Sequence, residues 1–137
     1  MKKSLFLSLL ALTSCFAAFG QKNPPQSVTN SFSQQFPGVT KVDWSREKNG
    51  EWEAEFRAAD GRETSANFSP DGTWLETEME IAVSDLPAAV RDAALKLYPG
   101  KKIKEAARVT RASGQTLYEV EIGSKDVLFD AAGKLVR

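Results

Sequence analysis

Apolar positions along the chain switch twice from a helical spacing to a strand spacing. Val28, Phe32 and Phe36 fall on one helical face, with Asn30, Ser31, Ser33 and Gln34 turned to water. Ser27 is the expected cap of this helix, and Pro37-Gly38 ends it, because proline disfavours helical geometry before it and glycine takes the turn. Later, Ser84-Asp85-Leu86-Pro87 carries a helix-start signature, and Leu86, Val90, Ala94 and Leu97 form the expected buried stripe. Tyr98 aligns with Phe36, and Pro99-Gly100 is the second stop.

After the first helix the pattern alternates with period two, and Asn49-Gly50, Asp60-Gly61 and Asp71-Gly72 mark hairpins at strand-length intervals. Alternation then tests the loop lengths. Val42 and Trp44 share a dry face with Trp52, Ala54 and Phe56 only if Trp44 pairs with Ala54, which requires the odd loop Lys48-Asn49-Gly50. The same argument predicts the loop Ala59-Asp60-Gly61, with Phe56 opposite Thr64 and Trp52 opposite Phe68. For the third hairpin, an even loop at Pro70-Asp71-Gly72-Thr73 places Phe68 opposite Leu75. Leu75, Thr77, Met79 and Ile81 then face the core, and Trp74, Glu76, Glu78 and Glu80 face outward. Glu51, Glu53 and Glu55 form a second outward row. Strands are expected again over 103–112, 116–122, 125–129 and 134–136, with the last two short.

The two halves match beyond their patterning. Val28, Phe36, Pro37 and Gly38 return as Val90, Tyr98, Pro99 and Gly100 at one offset, and Trp52-Glu53-Ala54-Glu55-Phe56 is answered by Tyr118-Glu119-Val120-Glu121-Ile122. Self-similarity of this length predicts an internal duplication. The expected fold is α+β: a tandem repeat of a helix followed by an antiparallel β-meander, with units at 27–83 and 84–137. Each unit alone buries only a modest core, so the two should pack as one body, with Trp44 or Trp52 near their junction.

The first residues read as an address. Lys2 and Lys3 precede an apolar run at 5–12 that is too short to span a bilayer, and small residues at Ala18 and Gly20 prepare a cut before Gln21. Residues 1–20 are therefore expected to be a secretory signal peptide and 21–26 a short extended leader. Leu12-Thr13-Ser14-Cys15 also resembles a lipobox, in which Cys15 would carry a lipid anchor and begin the mature chain. Cys15 is the one cysteine, so a chain starting at Gln21 holds no thiol and no disulfide.

Composition narrows the chemistry. The 137 residues contain no histidine, which removes the commonest general base and metal ligand. The glycines are single and sit in turns, so no phosphate-cradling loop is present. Neither catalytic residues, a metal centre nor a cofactor site is expected. Formal net charge is zero, but residues 28–83 hold eleven acids and five bases, whereas 84–137 hold seven acids and ten bases. The acidic half would repel phosphates, which argues against nucleic acid. The acidic rows at Glu51, Glu53, Glu55 and at Glu76, Glu78, Glu80 are candidate partner-binding residues, with Trp74 beside them as an interface anchor. A solvated sheet face and a hard-cation site are the competing readings of those rows.

The segments FPG, GEWEAEF, FSPDGTWLETE, DLPAAV, YPG and YEVEI together resemble the secreted bacterial PepSY-like, β-lactamase-inhibitor-like family. The resemblance implies tandem helix-and-sheet units in the periplasm and transfers no catalytic residues. The expected function is a non-enzymatic periplasmic or secreted binding module that engages a protein or peptide through a sheet face or edge, with an inhibitor-like role included. The alternatives are a carrier of a small molecule or divalent cation, and a structural envelope protein if Cys15 is lipidated. Mass spectrometry of the mature protein should find Gln21 at its N terminus. A lipid-modified Cys15 would replace the secreted form with an anchored one.

Overall fold

The computed structural model describes residues 23–136. The expected signal peptide at 1–20 and Cys15 lie outside the described residues. Helix α1 (Gln26–Gln35) is followed by strands β1 (Val42–Arg46), β2 (Trp52–Arg57), β3 (Glu63–Phe68) and β4 (Trp74–Ile81). A 3-10 turn (Val83–Asp85) leads into α2 (Ala88–Leu97), then β5 (Ile103–Arg111), β6 (Thr116–Ile122) and β7 (Lys125–Asp130). Helix-then-meander thus occurs twice in the element order. The expected fourth strand of the second half is reduced to a bridge between Phe129 and Leu135.

The strands do not form two packed sheets. They form one seven-stranded antiparallel sheet in chain order, β1 to β7. The halves join by β4–β5 pairing, from Glu76 opposite Arg111 to Ile81 opposite Ala106. Trp44 and Trp52 are therefore remote from the junction. Trp44 lies on edge strand β1, and Trp52 lies in the core under α1. Backbone hydrogen bonding across β4–β5 replaces the side-chain interface expected from the modest core of each half.

Both helices start directly after a proline, Pro25 or Pro87, which stands at the capping position, so Ser27 lies inside the first turn rather than before it. Val28 and Phe32 on α1, and Val90 and Ala94 on α2, are buried. The next position four residues on is Phe36 or Tyr98, each half-buried against its core. Leu97, expected in the stripe, is 47% exposed, because it sits one residue off that four-residue step.

Register places both helices on the same side of the sheet. Trp52, Ala54, Phe56, Ala66 and Phe68 meet α1, and Ala106, Val120, Ile122, Val127 and Phe129 meet α2. The first core is aromatic: the Phe32 ring stands 5.3 Å from Trp44 and 5.1 Å from Phe56, both edge-on. The second is mainly aliphatic. Between them the same face carries Thr77 opposite Thr110 and Met79 opposite Arg108.

The first two hairpins have the expected register, Trp44 with Ala54 and Phe56 with Thr64. The third does not. Its loop closes like the first two, with Ser69 N–H donating to the Thr73 carbonyl at 2.9 Å, so Phe68 pairs with Trp74. A bulge at Leu75 then restores Asn67 opposite Glu76. The inward and outward sets from Glu76 onward are those expected, but Trp74 turns inward.

Two hairpin tips also position the helices. Gly72 has φ of 92°, and a Cβ there would lie 2.6 Å from the Ser27 carbonyl oxygen at the start of α1. Gly133 meets the Ala89 carbonyl at the start of α2 in the same way. Gly61 has a similar φ of 83° but open space around it. Gly61→Ala should therefore cost about 1 kcal/mol from backbone strain alone. Gly72→Ala should cost about 2–4 kcal/mol, because the methyl also displaces α1. Urea unfolding of the two variants measures the difference.

Candidate functional site

The face opposite the helices carries the carboxylates. Alternation along β2 sends Glu53 and Glu55 there, and alternation along β4 sends Glu76, Glu78 and Glu80 there. Strand β3 stands between them, with Ser65 paired to both Glu55 and Glu78, and Asn67 paired to both Glu53 and Glu76. The two acidic rows, read in sequence as separate faces, are therefore parts of one surface. Glu51 precedes β2 at the hairpin mouth, where its carbonyl accepts from Glu47 N–H at 2.8 Å. Trp74 does not belong to this surface: it packs half-buried against the first core, and its Nε1 donates to Thr77 Oγ1 at 2.9 Å. The bulge at Leu75 is the reason, since one added residue reverses the side on which Trp74 projects.

The second half contributes residues that the candidate set lacked. Glu105, Glu119, Glu121 and Asp126 share this face, with Glu105 opposite Glu121 and Glu121 opposite Asp126. The signal was available, because Glu119 and Glu121 answer Glu53 and Glu55 in the internal match. Apolar residues are set among the acids: Glu78 pairs with Val109, and Val109 pairs with Leu117. Val109 is 3% exposed and Leu117 fully buried, although the helices lie on the other side.

Burial makes the carboxyls unusual. Glu53 is only 7% exposed, which excludes a fully solvated face. Desolvation, followed by the charges of Glu47 and Glu55, pushes its pKa up to about 7. Desolvation and the charges of Glu119, Glu76, Glu53 and Asp126 push Glu78 up to about 8. Glu119 rises to about 7 through desolvation and its neighbours Asp126 and Glu76. Glu55, Glu105 and Asp126 are also raised, each chiefly by desolvation. Every raised carboxyl among the described residues lies on this face.

Cations reach only parts of it. Arg57 pairs with Glu63 at 2.8 Å, Lys104 with Glu121 at 3.1 Å and Arg111 with Glu76 at 3.2 Å. No ion pair among the described residues includes Glu53, Glu78 or Glu119. Glu78 Oε1 is buried without any hydrogen-bond partner, and is the one such side-chain atom among the described residues. Among the described residues no three or more Asp, Glu, His or Cys side chains are grouped to hold an ion. Strand alternation spaces the carboxyls along ladders instead of converging them on a point. No helix among the described residues is long and apolar enough to cross a membrane.

Fold and surface together define an α+β protein with two helices on one side of a single antiparallel sheet and, on the other, a carboxyl-rich face that no helix among the described residues covers. The family described as "beta-lactamase-inhibitor-like, PepSY-like" matches residues 50–137, and the chain belongs to it. Solved structures show the same fold at low identity. A Bacteroides eggerthii protein named as periplasmic is 22% identical, with a TM-score of 0.73 over 84% of this chain and 87% of its own. A DUF2874 family protein from Bacteroides ovatus is 20% identical, with a TM-score of 0.71 over 84% and 86%. A BLIP-like protein from Bacteroides fragilis is 24% identical, with a TM-score of 0.67 over 84% of each chain. No curated protein matches the chain.

The raised carboxyls set the sign of a pH effect. Glu78 keeps its proton in the folded state up to about pH 8, whereas the unfolded chain releases it near the ordinary glutamate value of 4.5. Its stabilising contribution is thus complete below the unfolded value and is lost as pH rises through the folded one. Melting temperature should fall between pH 5 and 8 in the native sequence. Glu78→Gln should flatten that fall and add on the order of 2 kcal/mol at pH 8. An unchanged slope would show that Glu78 is not the protonated group.

Proposed function

We propose that this protein is a non-enzymatic binding module of the periplasm that engages a protein or peptide through the helix-free face of its sheet. The observation that supports this most is the buried, orphaned Oε1 of half-buried Glu78, on a face that no helix among the described residues covers. A group of that kind destabilises the free protein by about 1–3 kcal/mol, and an incoming donor relieves the deficit. The helix-then-meander order, run twice, supports the reading of the chain as two copies of one unit joined to widen that face. The periplasmic naming of the Bacteroides eggerthii relative supports the address, and the BLIP-like description of the Bacteroides fragilis relative supports a protein partner.

The face is favoured over the sheet edge. The open edge strand β1 is only five residues long, and its Asp43, Arg46 and neighbouring Glu47 discourage strand addition. The absence of histidine from the chain supports the non-enzymatic assignment. A carrier of divalent cations is disfavoured by the dispersed carboxyls.

A photo-crosslinking residue placed at Glu80, on the free face, should form a discrete adduct in periplasmic extract. The same residue at Asp92, on the exposed side of α2, should form none. Equal adducts from both positions, or none from Glu80, would count against the face as the docking surface.

A further inference from the structure

We infer that the segment docked on this face is cationic: an extended stretch of a partner protein that alternates Lys or Arg with apolar residues and lies along β4. This rests on the docking reading above and specifies the partner's chemistry.

Three observations carry it. The first is charge: Glu53 from β2, Glu76 from β4, Glu119 from β6 and Asp126 from β7 bear on Glu78, and the cations on that side, Arg57, Lys104 and Arg111, are already held by Glu63, Glu121 and Glu76. The face lacks positive charge where its acids are most buried. The second is the orphaned Oε1 of Glu78, which accepts no hydrogen bond from the protein and suits an ammonium or guanidinium donor. The third is spacing. Glu76, Glu78 and Glu80 alternate along one strand, so their side chains recur every ~7 Å, the repeat of alternate residues in any extended peptide. Beside them Val109 and Leu117 exclude water, which strengthens ion pairing with a ligand that covers the face.

An anionic or purely apolar occupant fits none of these. It would bury the same carboxyls further while offering neither a hydrogen-bond donor to the orphaned oxygen nor an opposing charge. A cation instead allows the face to ionise. Carboxyls held protonated by burial, and then by their acidic neighbours, release protons when a Lys or Arg arrives, so proton release accompanies docking.

The probe is a ten-residue peptide of alternating Lys and Val, titrated calorimetrically into the purified protein, with an alternating Glu and Val peptide as control. The Lys peptide should bind and the Glu peptide should not. Its apparent heat should vary with the ionisation enthalpy of the buffer, reporting the released protons. Glu78→Gln with Glu119→Gln should weaken binding about tenfold or more, whereas Asp92→Asn on α2 should leave it unchanged. Equal loss in the Asp92 variant would reveal diffuse attraction and overturn the inference. So would equal binding of both peptides, or binding of neither. The crosslink at Glu80 is read independently: an adduct there with no Lys-peptide binding retains the docking face and rejects the cationic partner.

Discussion

Pairing of β4 with β5, from Glu76 opposite Arg111 to Ile81 opposite Ala106, is the constraint on which the molecule depends. It turns a four-stranded and a three-stranded meander into one sheet and fixes their relative phase. Because side chains alternate strictly along a strand, that phase decides which face each half presents. In the observed register both cores lie on one side, and α1 and α2 cover that side. A slip of one residue would turn Ala106, Val120 and Ile122 toward the acids of the first half. The Arg111–Glu76 ion pair, 3.2 Å long, spans the same seam between the basic and acidic halves.

The two faces of the sheet are under opposite physical demands. On the helix side, Phe32 packs edge-on with Trp44 and Phe56, and α2 supplies Val90 and Ala94 to an aliphatic core. Gly72 and Gly133 allow the hairpin tips to press against the first turns of the helices, which sets the height of each helix over its core. On the other side Glu53, Glu78 and Glu119 are held in poor solvent beside like charges. Apolar packing on one face is thus partly offset by carboxyl crowding on the other. Local departures of this kind from what stability alone would select tend to gather at functional surfaces.

Family membership and the solved relatives agree with this division. The family match begins at residue 50, so it takes in β2 to β7 and α2, and with them the Glu53, Glu78 and Glu119 positions. The three structural neighbours named, each below 25% identity, share the architecture. The functional reading therefore rests on this chain's own carboxyls.

Much of the local structure was legible in the amino-acid order. Period-two alternation assigned Glu53, Glu55, Glu76, Glu78 and Glu80 to the outward side, and the Asn-Gly and Asp-Gly pairs located the first two hairpins with correct register. The third hairpin departs from simple alternation because a bulge adds a residue to the ladder while leaving the alternation beyond it intact. Trp74 changed sides for that reason alone. What the tertiary structure decided was adjacency. Alternation is a property of neighbours in the chain, fixed by backbone geometry over a few residues. Whether the two glutamate rows share a surface, and whether Glu119 and Asp126 add their charge to it, depends on a succession of strand pairings, the longest joining residues 35 apart. Desolvation depends on everything packed nearby, so the burial of Glu78 emerged only when the sheet was assembled.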